Sequence, residues 1–221
     1  MLLPHNEKIF NDLTTAYKSD NDVMLIHGTG LGKSFLFAEL ADTIFLGKKI
    51  LFVVPKHAVE QGIDGYGELN GKDVDFVTYN YFKDEKRASE AFTGYDVIVF
   101  DECHHLGSEK YGKNARTIIP MVRGTDKYVL GLTATHKRAD KVNVSEYFSS
   151  IVVGMSIFEA IRNGIIPPFE YLVCEDDAEL KKGYDRKMDD FRKKLDIDGS
   201  VPLLKDTVAR NLRQRWICVF S

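Results

Sequence analysis

Cysteine is scarce in this chain: Cys103, Cys174 and Cys218 are 3 residues among 221. No two form a CxxC pair, so the sequence offers neither a disulfide framework nor a zinc knuckle. Cys103 is followed by His104 and His105, but adjacent side chains do not converge on one ion without more distant ligands, so structural zinc is not expected there. Long apolar runs are missing as well. No stretch approaches the roughly 20 residues that span a bilayer, and the opening MLLPHNEKIF lacks the basic start and apolar core of a signal peptide. The expectation is a cytoplasmic protein in a reducing compartment, without a membrane partner. Positive charge is not in excess either: 30 Lys and Arg against 33 Asp and Glu leave a net charge of -3. That balance excludes a protein that holds nucleic acid by its global field. It leaves open a local edge of lysines, backbone N–H groups and helix N-termini. Internal repeats and low-complexity linkers are absent.

What remains is ordinary globular material, 44% hydrophobic and 29% charged, long enough for one well-buried α/β domain with a helical appendage. Short β-branched runs recur: VMLI at 23–26, ILFVV at 50–54, VDFVTY at 74–79, VIVF at 97–100 and YVLGL at 128–132. Each reads as a strand covered on both faces. Between them, residues 33–45 carry Phe35, Leu36, Leu40, Ile44 and Phe45 at near-helical spacing, and 115–122 is a weaker helical stretch. Alternating strand and helix predicts a mostly parallel sheet with helices on both faces. Beyond Ile151 the texture changes to a short helix stopped by Gly164 and the Pro167–Pro168 pair, then a strand. Residues 177–195 and 203–216 read as charged surface helices, and the closing ICVFS as the opening of another strand. The expected division is a domain at 1–176 and a helical extension at 177–221.

Three segments carry chemistry. DVMLIHGTGLGKSFLFAEL at 22–40 runs strand, glycine-rich turn, helix. Such a turn points backbone N–H groups inward at a helix N-terminus, a cradle for phosphate oxygens formed here by Gly28, Thr29, Gly30, Leu31 and Gly32. Lys33 supplies charge for the β- and γ-phosphates, and the Ser34 hydroxyl is placed to ligate magnesium. The Walker pattern wants glycine where this chain has His27. VIVFDECHH at 97–105 ejects two carboxylates at the end of a buried strand, where open α/β sheets place their ligand crevice. Asp101 is positioned for magnesium and Glu102 for orienting an attacking water. YVLGLTATHKR at 128–138 ends a strand in Thr133 and Thr135, whose hydroxyls can bond the neighbouring acidic loop.

In this order and spacing GTGLGKS, DECH and TAT resemble motifs I, II and III of superfamily-two helicases, of the DEAD, DEAH and DExH variants. GLTATHKR and SIFEAIRNGIIPPFEYLVC at 156–174 resemble the branch of the type I and type III restriction subunits, with His136 replacing the usual proline. The resemblance implies a RecA-like P-loop NTPase domain that uses ATP and Mg2+ and acts on nucleic acid, DNA or RNA, with DNA favoured. It implies a role for Asn6, within LLPHNEKIF at 2–10, in reading adenine, and coupling roles for His104, Thr133 and Thr135. It places Pro55 and Lys56 (in VVPKHAVEQ, 53–61) and Thr78 and Tyr79 (in VTYNYF, 77–82) against a sugar-phosphate backbone. Motors of this kind hold ATP between two RecA-like domains. Nothing after Cys174 resembles the arginine-rich motif of the second, and Arg210, Arg213 and Arg215 sit at the spacing of a solvated helix face. A second domain needs on the order of 150 further residues. The expectation is therefore half a motor, a helicase or translocase domain nearly inactive alone. A nucleotide-binding scaffold without hydrolysis, and a P-loop kinase or GTPase, are the rival readings. The former is disfavoured by intact Lys33, Ser34, Asp101 and Glu102, the latter by DECH with TAT and by the lack of an NKxD sequence.

Overall fold

The computed structural model describes residues 2–55, 69, 72–110, 112–135 and 142–167. Within them six strands form one parallel sheet. In chain order the elements are helix α1 (Glu7–Ala16), β1 (Asp22–Ile26), α2 (Lys33–Asp42), β2 (Ile50–Val54), β3 (Val74–Thr78), α3 (Lys86–Gly94), β4 (Val97–Phe100), β5 (Tyr128–Thr133) and β6 (Ser150–Val153). The sheet order is β3-β2-β4-β5-β1-β6, the architecture of a RecA-like α/β domain.

The apolar runs dictate this layout. β1, β2, β4 and β5 are buried along almost their whole length, as continuous β-branched segments must be when helices cover both faces. Their side chains alternate between two cores. Val23, Leu25, Phe52, Val99 and Leu132 face α1 and α2, packing on Leu13, Leu36, Phe37 and Leu40. Met24, Leu51, Val53, Ile98 and Phe100 face α3 and the segments around it, packing on Phe82, Ala91, Ile118 and Ile119. Each fully buried Phe or Leu in these layers contributes about 1.5–3 kcal/mol of transfer free energy. β3 lies at the sheet edge and is only half-buried, so the expectation of two covered faces fails for this strand.

Several elements differ from the sequence expectation. The helix expected at 33–45 ends at Asp42. The stretch at 115–122 is broken into turns of helix at Gly112–Ala115 and Ile118–Met121, because Pro120 has no N–H to continue a longer one. Tyr79 leaves the strand and opens a 3-10 turn, Tyr79–Lys83. Helices α1 and α3 and strand β6 were not anticipated.

The chain divides into two compact units, Met1–Ile157 and Phe158–Ser221. The second contributes 158–167 to the described residues, including all but the first residue of a helix, Ile157–Arg162. Gly164 stops that helix with φ +67°. Its N–H donates to Ile161 O at 3.0 Å, and the Ile165 N–H reaches back to Ala160 O at 2.8 Å, the Schellman closure. The strand expected after Pro168, the helices at 177–195 and 203–216 and the ICVFS segment lie outside the described residues. No described helix is long and apolar enough to cross a membrane.

Candidate active site

The register of the sheet brings three loops to one end. Ile26 of β1 pairs with Thr133 of β5, and Phe100 of β4 pairs with Gly131. The chain leaving β1 and β4 therefore emerges beside Thr133 at the carboxyl edge, where open parallel sheets bind ligands. Backbone bonds fix the start of the glycine loop from both sides. The His27 N–H donates to Thr133 O at 2.8 Å, and the Gly28 N–H to Met155 O at 2.9 Å.

The loop then turns through Gly30 at φ +75° and Gly32 at φ +90°, conformations that a Cβ strains. At Gly32 space is also short, since a Cβ would stand 2.9 Å from both Asn6 Nδ2 and Leu3 Cδ1. Gly32 is the N-cap of α2, so the N–H groups of the first turn face the loop, a polarity suited to anions. Thr29 and Gly30 form the exposed tip, whereas Leu31 is buried and anchors the loop. Lys33 Nζ donates to the loop's own carbonyls, His27 O at 3.1 Å and Gly28 O at 3.4 Å. Ser34, in the first turn, is half-buried.

Across the edge, Asp101 and Glu102 are both half-buried. Glu102 adopts φ 47° and ψ 52°, a left-handed backbone without the excuse of glycine. Such outliers cost of order 1–3 kcal/mol and gather at functional sites. Burial pushes the Glu102 carboxyl up, but the His104 hydrogen bond and the charges of Lys33, His104 and His105 outweigh it, leaving its pKa below the ordinary carboxylate value. His104 Nδ1 stands 3.3 Å from Glu102 Oε2 and 3.3 Å from Thr133 Oγ1. The Thr133 hydroxyl donates to Thr135 O at 2.8 Å and accepts from Thr135 N at 3.1 Å. Toward His104 it is therefore an acceptor, which assigns the ring proton to Nδ1. Thr135 itself takes part through its backbone. Cys103 points the other way, fully buried, and burial pushes its thiol pKa up.

Two of the expected site residues are bonded within the protein. Asn6 is fully buried, its Nδ2 donating to Leu31 O at 2.8 Å and its Oδ1 accepting from His27 Nε2 at 3.1 Å. It supports the loop from beneath. Tyr79 is also buried, with its hydroxyl donating to Asp101 O at 2.9 Å and its ring 5.2 Å from that of His105. It braces the acidic loop. Pro55 is buried at the end of β2 and Thr78 half-buried at the end of β3. Lys56 and residues 136–138 lie outside the described residues. The residue least anticipated is His27, whose ring touches Asn6, Leu31 and Met155. Its one signal in the sequence is that it stands where a glycine was wanted.

With this geometry in view, comparison with known proteins gives consistent answers. The chain matches the family model of the type III restriction enzyme, res subunit, in two overlapping segments, residues 1–93 and 60–138. It is similar to the type I restriction enzyme EcoAI endonuclease subunit of Escherichia coli, 24% identical over 184 residues covering 73% of this chain and 22% of that protein. A shorter likeness, 37% over 81 residues, joins 37% of the chain to 17% of the DNA 3'-5' translocase XPB2 of Sulfurisphaera tokodaii. Among solved structures, a nuclease-deletion mutant of the type ISP restriction-modification enzyme LlaGI, in complex with a DNA substrate mimic, has a TM-score of 0.57 at 15% identity, over 90% of this chain and 23% of that one. The Escherichia coli DEAH/RHA helicase HrpB follows at TM-score 0.53 and 19% identity, over 69% of this chain and 22% of its own. The chain thus spans less than a quarter of the length of each of these relatives.

Proposed function

The chain belongs to the type III restriction enzyme res subunit family, a helicase-type NTPase family, and from that premise we propose that it binds Mg-ATP on the 28–34 loop and hydrolyses it to drive movement on DNA. The observation that carries this reading is the meeting of the glycine loop, the Asp101–Glu102 pair and Thr133 at the carboxyl ends of three adjacent strands, β1, β4 and β5. The residues fit the ligand. The loop supplies backbone donors at a helix N-terminus, and Ser34 and Asp101 are hard oxygen donors suited to magnesium. Magnesium, when bound, supplies charge neutralisation on the phosphoryl oxygens.

The chain's own groups divide the remaining work. Lys33 exchanges its two loop carbonyls for the β- and γ-phosphates, so its charge is already positioned before nucleotide arrives. Glu102, kept ionised by its surroundings, accepts a hydrogen bond from the attacking water and orients it in line. His104 joins Glu102 to Thr133, so a movement of the Thr133–Thr135 turn is felt at the carboxylate. Asn6 and Tyr79 hold the two loops from below, while Lys56 and Thr78 meet the DNA backbone through sequence-independent, salt-sensitive contacts. A second RecA-like domain of the same longer protein closes the site, with the present chain supplying the first domain at 1–176 and the connection at 177–221.

The test separates binding from chemistry. Lys33→Ala removes the side-chain cation aimed at the phosphates and should weaken Mg-ATP binding by roughly 2–3 kcal/mol, the worth of a charge-assisted contact. Glu102→Gln should bind Mg-ATP like the unaltered protein, while turnover collapses in a protein carrying both domains. Calorimetry and a phosphate-release assay read the two quantities. Undiminished binding by Lys33→Ala, or undiminished hydrolysis by Glu102→Gln, would defeat the assignment.

A further inference from the structure

Asn6 occupies the N-cap position of α1 but makes no capping bond. An asparagine there ordinarily accepts from a backbone N–H of the first turn, worth about 1 kcal/mol. Here the amide is turned away from its helix and spent on the glycine loop, donating to Leu31 O at 2.8 Å. That carbonyl receives two further side-chain nitrogens, His27 Nε2 at 3.1 Å and His5 Nε2 at 3.2 Å. The His27 ring is fixed from its far side as well, because Nδ1 accepts the Met155 N–H at 3.0 Å. The ring proton therefore sits on Nε2, shared between Leu31 O and Asn6 Oδ1 at 3.1 Å. Gly154 makes room for it, since a Cβ there would lie 2.6 Å from His27 Nδ1.

A trans peptide holds its C=O and N–H antiparallel. Pinning Leu31 O toward His5, Asn6 and His27 therefore turns the N–H of Gly32, the left-handed N-cap residue of α2, in the opposite direction. A peptide plane between two glycine-flanked turns is otherwise free to flip. We propose that His5, Asn6 and His27 are positioning residues that clamp the Leu31–Gly32 peptide, so that the N-terminal segment acts on the phosphate chain of the nucleotide and not on its base. The Asn6 amide is fully buried, with its nitrogen and its oxygen each already bonded within the protein. This inference rests on the reading of residues 28–34 as a phosphate cradle.

The experiment titrates the whole chain with Mg-ATP, Mg-GTP and magnesium tripolyphosphate by calorimetry, for the unaltered protein, Asn6→Ala and His27→Ala. Each variant should weaken all three ligands by a common factor of about tenfold, the worth of one to two buried hydrogen bonds. The ATP-to-GTP ratio and the binding stoichiometry should not change. The Gly32 amide proton should move far downfield on adding tripolyphosphate to the unaltered protein and less in the variants, a local signature that general loosening does not give. Should Asn6→Ala or His27→Ala fail to fold, His5→Ala removes one donor from a half-buried ring without opening the core, and should lower the three affinities together by a smaller factor. Selective loss of Mg-ATP in Asn6→Ala would make that side chain a base reader and overturn the clamp. So would unchanged affinities in folded variants. If the unaltered chain binds none of the three, the cradle itself is misassigned and the clamp falls with it.

Discussion

At the scale of single residues, His27 places a titratable ring at the start of the glycine loop. Burial, the largest cause, lowers its pKa from the ordinary ~6.5; the hydrogen bond to Leu31 O opposes this, and the charges of Lys33 and His5 add to the lowering. Protonation would also set an N–H on Nδ1 against the Met155 N–H that it now accepts. A base with a depressed folded pKa binds fewer protons folded than unfolded, so stability rises with pH. The contribution is complete above about pH 6.5 and is lost as pH falls through the lower, folded value. Thermal melts at pH 7.5 and 5.5 should therefore show the unaltered chain losing stability on acidification, each kcal/mol appearing as roughly 2–4 °C. His27→Ala should melt lower at pH 7.5 and show a flatter pH dependence. An equal acid-induced drop in both proteins would place the titration elsewhere. The same residue marks the boundary of what sequence reveals. Lys33, Ser34, Asp101 and Glu102 were legible because their setting is local: a strand, a turn needing positive φ, a helix. For Asn6 and Tyr79 the sequence did not show the protein groups that their side chains bond. Their bonds to Leu31 and to Asp101 reach 25 and 22 positions along the chain, and no local pattern encodes which way a buried side chain turns.

At the scale of elements, the strands flanking the site were readable because burial on both faces writes itself as an unbroken apolar run. β6 was not: four residues, alternating in burial at the sheet edge, are too short to stand out. α1 was overlooked because its apolar stripe is thin, with Ile9 and Leu13 as its buried residues. What places β6 beside β1 is a polar device at the opposite end of the sheet from the glycine loop. Asp22, fully buried at the start of β1, accepts from Arg123 Nε at 3.2 Å and Nη2 at 3.0 Å, and from the Ser149 N–H at 2.7 Å. The carboxylate thus ties the entry of β6 to β1 and to the turn before β5. Removing one partner of a fully buried pair costs about 3–5 kcal/mol. Arg123 is 47% exposed and Ser149 keeps one oxygen satisfied, so Arg123→Ala should cost about 2–3 kcal/mol and lower Tm by roughly 5–10 °C. Mg-ATP affinity at a temperature where the variant is folded should be unchanged, because the clip lies a full strand length from the loop. A Tm within 2 °C or so of the unaltered protein would show that water and Ser149 satisfy the carboxylate without the arginine.

At the scale of the whole molecule, the decisive quantity is which cation faces the γ-phosphate. In P-loop enzymes an arginine finger is worth about 10³–10⁵ in rate. The described arginines of the first unit are held away from the glycine loop: Arg87 pairs with Glu90 at 2.7 Å, Arg116 with Glu109 at 3.0 Å, and Arg123 with Asp22 at the far end of the sheet. On the proposed reading, Lys33, Ser34, Asp101 and Glu102 would supply binding and water orientation, and the last factor in rate would fall to a second domain that closes over the nucleotide and excludes water. The 221-residue chain should bind Mg-ATP with modest affinity and hydrolyse it barely above background. Single-stranded DNA should not rescue turnover, because that stimulation works by pressing two domains together. A steady-state phosphate-release assay on this chain, beside a protein that carries both domains, reads the difference directly. Robust, DNA-stimulated hydrolysis by the chain alone would overturn the half-motor reading. It would turn attention to Arg138, Arg210 and Arg213, which lie outside the described residues, as fingers supplied in cis or by a second copy of the chain.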